Sequence, residues 1–245
     1  MPERAQQKYL LFVQNISREG PGRILDLLEP HRIPWQIVDL SRGDPLPPVS
    51  AVRTVIVLGG PDSANDSTPK IQQELAWIRE VVSAGIPYLG ICLGMQLLVK
   101  AVGGDVIRCS TPEIGWRDPE GRPYTVRLTQ EGKRDPLFSG LPAELPIFHL
   151  HGETVVLPPE GVLLAEGRAC RPQVIRVGQT AYGIQGHWEL TQEMLERWLR
   201  EDPDLQKLPL EEVRRDAQNY WNDYVFIGNR IFENFLRIAG WLPDS

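Results

Sequence analysis

The chain has 245 residues, 42% hydrophobic and 24% charged, with a net charge of −6 and a pI near 5.3. These are ordinary globular values, and an acidic balance without a Lys/Arg cluster excludes non-specific nucleic-acid binding. The polar Met1–Lys8 segment lacks the apolar stretch of a signal peptide, so no secretory leader is expected, and no apolar run approaches the ~20 residues of a membrane helix.

Tyr9 to Val13 is a short apolar run and predicts a buried strand. Gly20-Pro21-Gly22 punctuates the chain, and Ile24, Leu25, Leu27 and Leu28 then recur at helical spacing up to Pro30. Trp35 to Leu40 and the β-branched run Thr54 to Leu58 predict two further strands. After Gly59-Gly60-Pro61, Ser67 or Thr68 caps a helix that has Pro69 in its first turn and stops at Gly85. Pro87 to Ile91 is a strand, followed by Cys92 and a helix through Leu97 and Leu98 to Gly103-Gly104. This strand–helix rhythm predicts an α/β fold whose sheet is open and mostly parallel, with helices on both faces.

From Asp105 to His187 short β-like pieces alternate with Gly/Pro turns: 124–128, 147–150, 162–165, 174–177 and 181–184. They are expected as antiparallel additions to the same sheet. Thr191 to Trp241 is expected to be helical. With no linker or repeat, the reading is one domain over 1–245, with a motif-bearing core at about 50–191 and a helical extension at about 191–241.

The strongest local signal is Gly90-Ile91-Cys92-Leu93-Gly94. A cysteine at a strand-to-helix junction, with glycine two residues to either side, fits a nucleophile elbow, because the sharp turn leaves no room for Cβ atoms at its flanks. The thiol then projects at the carboxyl end of a strand, and the helix N-terminus favours the thiolate. Cys109 and Cys170 have no such setting and read as small buried hydrophobes. Three cysteines without a Cys-x-x-Cys pair suit a reducing, cytoplasmic location, and no metal or cofactor is expected.

A thiol nucleophile needs an imidazole to move its proton. Of four histidines, His31 has only a loop context, and His149 and His151 share one face of a strand. His187 is the one with an acid, Glu189, two residues on, where an extended backbone points both side chains the same way. The carboxylate can then fix the imidazole's tautomer and stabilise its cation. Spacing alone does not bring residues 92 and 187 together.

In order along the chain, Gly59-Gly60-Pro61, Gly90-Ile91-Cys92-Leu93-Gly94-Met95-Gln96 and Tyr182-Gly183-Ile184-Gln185-Gly186-His187-Trp188-Glu189 closely resemble motifs of the class I glutamine amidotransferase family. Glu113-Ile114-Gly115-Trp116 and Phe148-His149-Leu150-His151-Gly152-Glu153 look like its stand-alone subgroup, related to the amidotransferase domain of GMP synthase. The resemblance implies a flavodoxin-like sheet and hydrolysis of a γ-glutamyl amide through a Cys92 thioester, with His187 as acid/base and Glu189 orienting it. It further implies oxyanion donors near Gly60 and at Leu93, and Gln96 with His151-Gly152 holding the α-amino and α-carboxylate groups. Two departures stand out. Gly186 replaces the usual aromatic residue and is expected to thin the pocket wall; Trp188 replaces the usual proline and is expected to add bulk at the rim.

The chain has no Gly-x-x-x-x-Gly-Lys-Ser/Thr loop and no room for a synthase domain. Three functions stay open: pairing with a separate synthase subunit, hydrolysis of a γ-glutamyl peptide or amine without one, and binding or regulation without turnover. The ligand expected is a small molecule, glutamine or a γ-glutamyl compound. The Trp- and Phe-rich C-terminal helices read first as core, with a homodimer as the other use of such a surface.

Overall fold

The computed structural model describes residues 8–243; the polar segment 1–7 lies outside them. Strand β1 (Tyr9–Gln14), helix α1 (Ile24–Leu28), β2 (Trp35–Asp39), β3 (Val52–Val57), α2 (Pro69–Ser83), β4 (Tyr88–Ile91) and α3 (Leu93–Ala101) form in the order the hydrophobic pattern predicts. Thr68 caps α2, its Oγ1 accepting from the Ile71 N–H at 3.4 Å. There follow β5 (Asp105–Gly115), β6 (Thr125–Leu128), β7 (Glu144–Pro146), β8 (His149–Val156), β9 (Gly161–Glu166), β10 (Pro172–Val177), β11 (Ala181–Ile184), α4 (Gln192–Glu201) and α5 (Leu210–Ile238).

Nine strands form one sheet in the order β2-β1-β3-β4-β11-β10-β9-β6-β7. The β2-to-β11 half is parallel and the remainder antiparallel. Two apolar cores flank it. One packs α2 and α3 through Ile71, Ile78, Leu97 and Leu98; the other packs α4 and α5 through Trp198, Tyr224, Ile231 and Phe235.

Two expectations need correction. The segment expected as a sheet addition at 147–150 does not join the main sheet: His149 and Leu150 open β8, which pairs with β5 in a separate two-stranded sheet, and the main sheet takes β7, just before it, instead. The helical stretch after Thr191 is also broken, because Pro203 and Pro209 interrupt it between α4 and α5.

One pairing matters most for the site. Strands β4 and β11 are parallel neighbours with Ile91 beside Ile184, and the Cys92 N–H donates to the Ile184 carbonyl at 2.7 Å. Both strands end at the same edge of the sheet. Cys92 lies one residue past its strand and His187 three past its own, so topology supplies the proximity that sequence spacing lacks.

Candidate active site

Cys92 has φ 52° and ψ −107°, a backbone region that non-glycine residues rarely enter. The flanking glycines make this turn sterically feasible. A Cβ on Gly90 would overlap the Gly94 backbone, and one on Gly94 would overlap the Val57 carbonyl. Leu93 opens α3, so its N–H has no intrahelical acceptor and is free to bind an anion. Gly60 lies nearby, and a Cβ there would stand 3.3 Å from Leu93 Cδ2.

His187 is buried, with its N–H donating to the Phe148 carbonyl at 2.8 Å and its Nδ1 2.6 Å from Glu189 Oε1. Trp198 packs edge-on against the ring with centroids 4.9 Å apart, which holds its plane. Burial opposes the imidazolium. The charge of Glu189, with hydrogen bonding to Cys92 and Glu189, outweighs burial and holds His187 well above the ordinary histidine range. A Cβ at Gly59 would come 3.3 Å from His187 Cε1 and 3.6 Å from Cys92 Cβ, so sulfur-bearing carbon and imidazole meet over that glycine.

The loop after β1 holds Glu189 from below. The Arg23 N–H donates to the Glu189 carbonyl at 3.0 Å, and Gly22, at φ 52°, approaches that carbonyl so closely that a Cβ would overlap it. From the other side, Tyr224 on α5 accepts from the Leu190 N–H at 3.1 Å.

A cavity of about 480 Å³ opens on Cys92 and is lined also by Gly60, Gln96, His151 and Gly152. Gln96 is buried rather than an exposed helix residue, and its Nε2 donates to the Glu153 carbonyl at 3.2 Å. A second cavity of about 680 Å³, between Arg127 and Glu166 on the antiparallel half, has no cysteine or histidine in its wall.

Gly186 and Trp188 do not do what the sequence suggested. A Cβ at Gly186 would stand 2.5 Å from Ile147 Cδ1 and 2.7 Å from His149 Nδ1, so the glycine makes room for core and not for ligand. Trp188 is 1% exposed and donates to the Pro146 carbonyl at 2.8 Å; it lies in the core beneath α5, away from the rim.

Sequence reading gave no role to three further groups. Glu113, on β5, lies 3.0 Å from His151 Nε2 and 3.8 Å from His149 Nε2 and accepts from Gln173 Nε2 at 2.7 Å. Cys170 donates to Cys109 Sγ at 2.7 Å, and Cys109 Sγ lies 3.6 Å from His151 Nδ1. The Cys170 hydrogen bond, aided by His151 and against burial, brings the Cys109 thiol down to about 6. Burial opposes the His151 cation, but bonding to Cys109 and Glu113 lifts it to about 9. Burial, joined by the charges of His151 and His187 and opposed by Glu113, drives His149 down to about 3, so it stays neutral. Cys109, His151 and Cys170 offer donor atoms all within 4.8 Å of one another, as do Glu113, His149 and His151. The two sulfurs stand closer than the roughly 3.7 Å expected for two thiolates on one tetrahedral zinc. The third group is Glu19, in the wall of the Cys92 cavity. Its signal was position: it follows the first strand of an open α/β sheet, at the carboxyl edge where ligands bind.

An open sheet with a cysteine elbow at that edge defines an α/β protein of thiol-site type. The family model for glutamine amidotransferase class-I matches residues 28–201, and the chain belongs to that family. It is 32% identical over 193 residues to the glutamine amidotransferase-like protein YfeJ of Salmonella typhimurium, covering 76% of this chain and 77% of that one. It is 39% identical over 114 residues to the GMP synthase (glutamine-hydrolyzing) of Thermotoga petrophila, covering 46% of this chain and only 19% of that longer protein. A crystal structure of a glutamine amido transferase from Methylobacillus flagellatus superposes with a TM-score of 0.84 at 27% identity, over 94% of this chain and 95% of that one. Among the described residues no helix is long and apolar enough to cross a membrane.

Proposed function

We propose that the chain is a thiol amidohydrolase that cleaves a γ-glutamyl amide. The observation that carries this reading is the meeting, over Gly59, of the strained Cys92, which opens on the cavity, and the buried imidazole of the His187–Glu189 pair. The Cys92 thiolate attacks the carboxamide carbon, and the Leu93 N–H and the backbone at Gly60 stabilise the oxyanion, each such donor contributing about 3 kcal/mol in comparable sites. Collapse expels the amine, which takes its proton from His187 and leaves a thioester. Water then attacks with His187 as base, releasing the γ-carboxylate and restoring the thiol. Glu189 keeps the imidazole oriented and offsets its charge. Gln96 and the His151-Gly152 segment hold the α-amino and α-carboxylate groups.

The likeness to a glutamine-hydrolyzing GMP synthase supports glutamine-type hydrolysis, although it spans only 19% of that longer protein. Cys92→Ala is expected to abolish ammonia release from glutamine and γ-glutamyl amides without changing the circular dichroism spectrum. Release that persists in this variant refutes the assignment. Labelling by a glutamine-like electrophile separates this reading from that of a non-catalytic homologue: Cys92 is expected to react faster than Cys109 and Cys170.

A further inference from the structure

Glu19 is 6% exposed and lines the same cavity as Cys92. A Cβ at Gly59 would overlap its Oε2 as well as crowd His187 and Cys92, so carboxylate, imidazole and nucleophile surround one glycine. Four other carboxylates border the opening, and each has a partner. Asp62 lies 2.6 Å from Lys70 Nζ, Asp202 lies 2.8 Å from Arg18 Nη2, and Asp204 lies 2.7 Å from Lys207 Nζ. Glu153 accepts from Ser63 Oγ at 2.8 Å. The Glu19 side chain takes part in none of the hydrogen bonds among the described residues. Arg18 Nε stands 4.0 Å from its Oε1, the outer limit of an ion pair and beyond hydrogen-bonding range, while Arg18 Nη2 donates to Asp202.

A buried carboxylate without a donor is costly unless a ligand supplies one. Burial pushes Glu19 up to about 7, against the pull of His187 and Arg18, so a cation entering the cavity would find an acceptor in need of charge. Glu19 sits beside His187, the group that hands its proton to the departing amine. It therefore faces the leaving-group side of the scissile bond.

We propose that Glu19 is a specificity-determining residue that binds an ammonium group carried by the leaving amine, so that the preferred substrates are γ-glutamyl monoamides of a diamine. The inference rests on the γ-glutamyl amidohydrolase reading above. Hydrolysis adds hydroxide to the acyl carbon and a proton to the amide nitrogen, and the diamine leaves with both nitrogens protonated.

Calorimetry on the full chain carrying Cys92→Ala tests this without turnover. The ligands are the γ-glutamyl monoamide of 1,4-diaminobutane and its neutral counterpart, γ-glutamyl n-pentylamide. The cationic amide is expected to bind about tenfold or more tightly, as hydrogen bonds to charged groups do. Adding Glu19→Gln is expected to remove that difference. Equal or undetectable binding of the two ligands before Glu19 is changed overturns the proposal. So does a Glu19→Gln effect that weakens both equally, which would assign the carboxylate to the α-ammonium common to both. Amine release by the unmodified chain is read separately: its absence defeats the hydrolase reading, while the calorimetry still decides what Glu19 binds.

Discussion

The structure holds two cysteine–histidine–glutamate sets, one at the β4–α3 turn and one across the β5–β8 pair. One is Cys92, His187 and Glu189; the other is Cys109, His151 and Glu113, with imidazole-to-carboxylate distances of 2.6 and 3.0 Å. By inventory they are alike. They differ in backbone. Cys92 sits at a positive-φ elbow with a helix N-terminus beneath its sulfur, whereas Cys109 sits in the irregular middle of β5, where the pairing with β8 shifts register. Cys109 lies within a strand and so has no helix N-terminus following it to offer N–H groups to a developing oxyanion. Its sulfur is instead taken by the Cys170 thiol. On the proposed reading, a low thiol pKa and a nearby imidazole do not suffice for acyl transfer; the strand-to-helix turn at Cys92 is the feature that Cys109 lacks.

The largest expected effect tests that contrast directly. Cys92→Ser should lower kcat for γ-glutamyl amide hydrolysis by about 10⁴-fold or more, while Cys109→Ser should stay within about tenfold, measured by ammonia release. Comparable losses in the two variants would break the comparison.

The carboxylates come next. Glu189→Gln should cost about 10² to 10⁴ in kcat, because a carboxylate partner sets the tautomer of a catalytic imidazole. Glu113→Gln should act on stability instead, by about 1 to 3 kcal/mol. The sign follows from the two shifts. Glu113 is held below its ordinary value by His151 despite burial, so its contribution is present above pH 4.5 and lost as pH falls. His151 is raised to about 9, so its contribution is full below its unfolded value and lost as pH rises through about 9. Urea unfolding should therefore show the largest loss near pH 5.5 to 6.5 and a smaller one at pH 9.5.

A subtler experiment concerns a glutamate without an imidazole. Glu74 is buried, and desolvation raises it to about 7 despite a 3.0 Å hydrogen bond from Asn15 Nδ2. The native state then holds an extra proton between pH 4.5 and 7, and stability falls across that interval. Glu74→Gln should gain about 1 to 3 kcal/mol at pH 8 and markedly less at pH 5. A gain independent of pH would show that partnering by histidine is not what separates these carboxylates.

Much of the first hundred residues is legible in the sequence because the buried strands carry apolar runs, α1 stops before Pro30, and α2 and α3 stop before glycine. Strand β5 is not: most of its side chains are exposed or half-buried, including Ile107 at 48%, so neither alternation nor an apolar run marks it. The break after α4 is hidden for another reason. Apolar spacing continues on both sides of Pro203 and Pro209, and a proline near a helix start is compatible with one. At the site, the elbow and the His-x-Glu spacing are local and readable. Glu19 and Glu113 are single carboxylates whose burial arises only in the fold, Glu19 in the loop after β1 and Glu113 on β5 opposite His151, and no neighbour in sequence announces it. Gly186 and Trp188 misled because a motif position was taken as a pocket position; each packs into the core.

Helix α5 carries a consequence for biosynthesis. Tyr224 fixes the peptide after Glu189, Gly228 lets the helix close on the Trp188 backbone, and Asp216 grips Arg117 through two bonds of 2.6 and 2.7 Å. The acid–imidazole pair is thus seated by residues translated some thirty to forty positions later. A nascent chain therefore lacks these holds on the Trp188–Leu190 backbone until α5 has left the ribosome and docked.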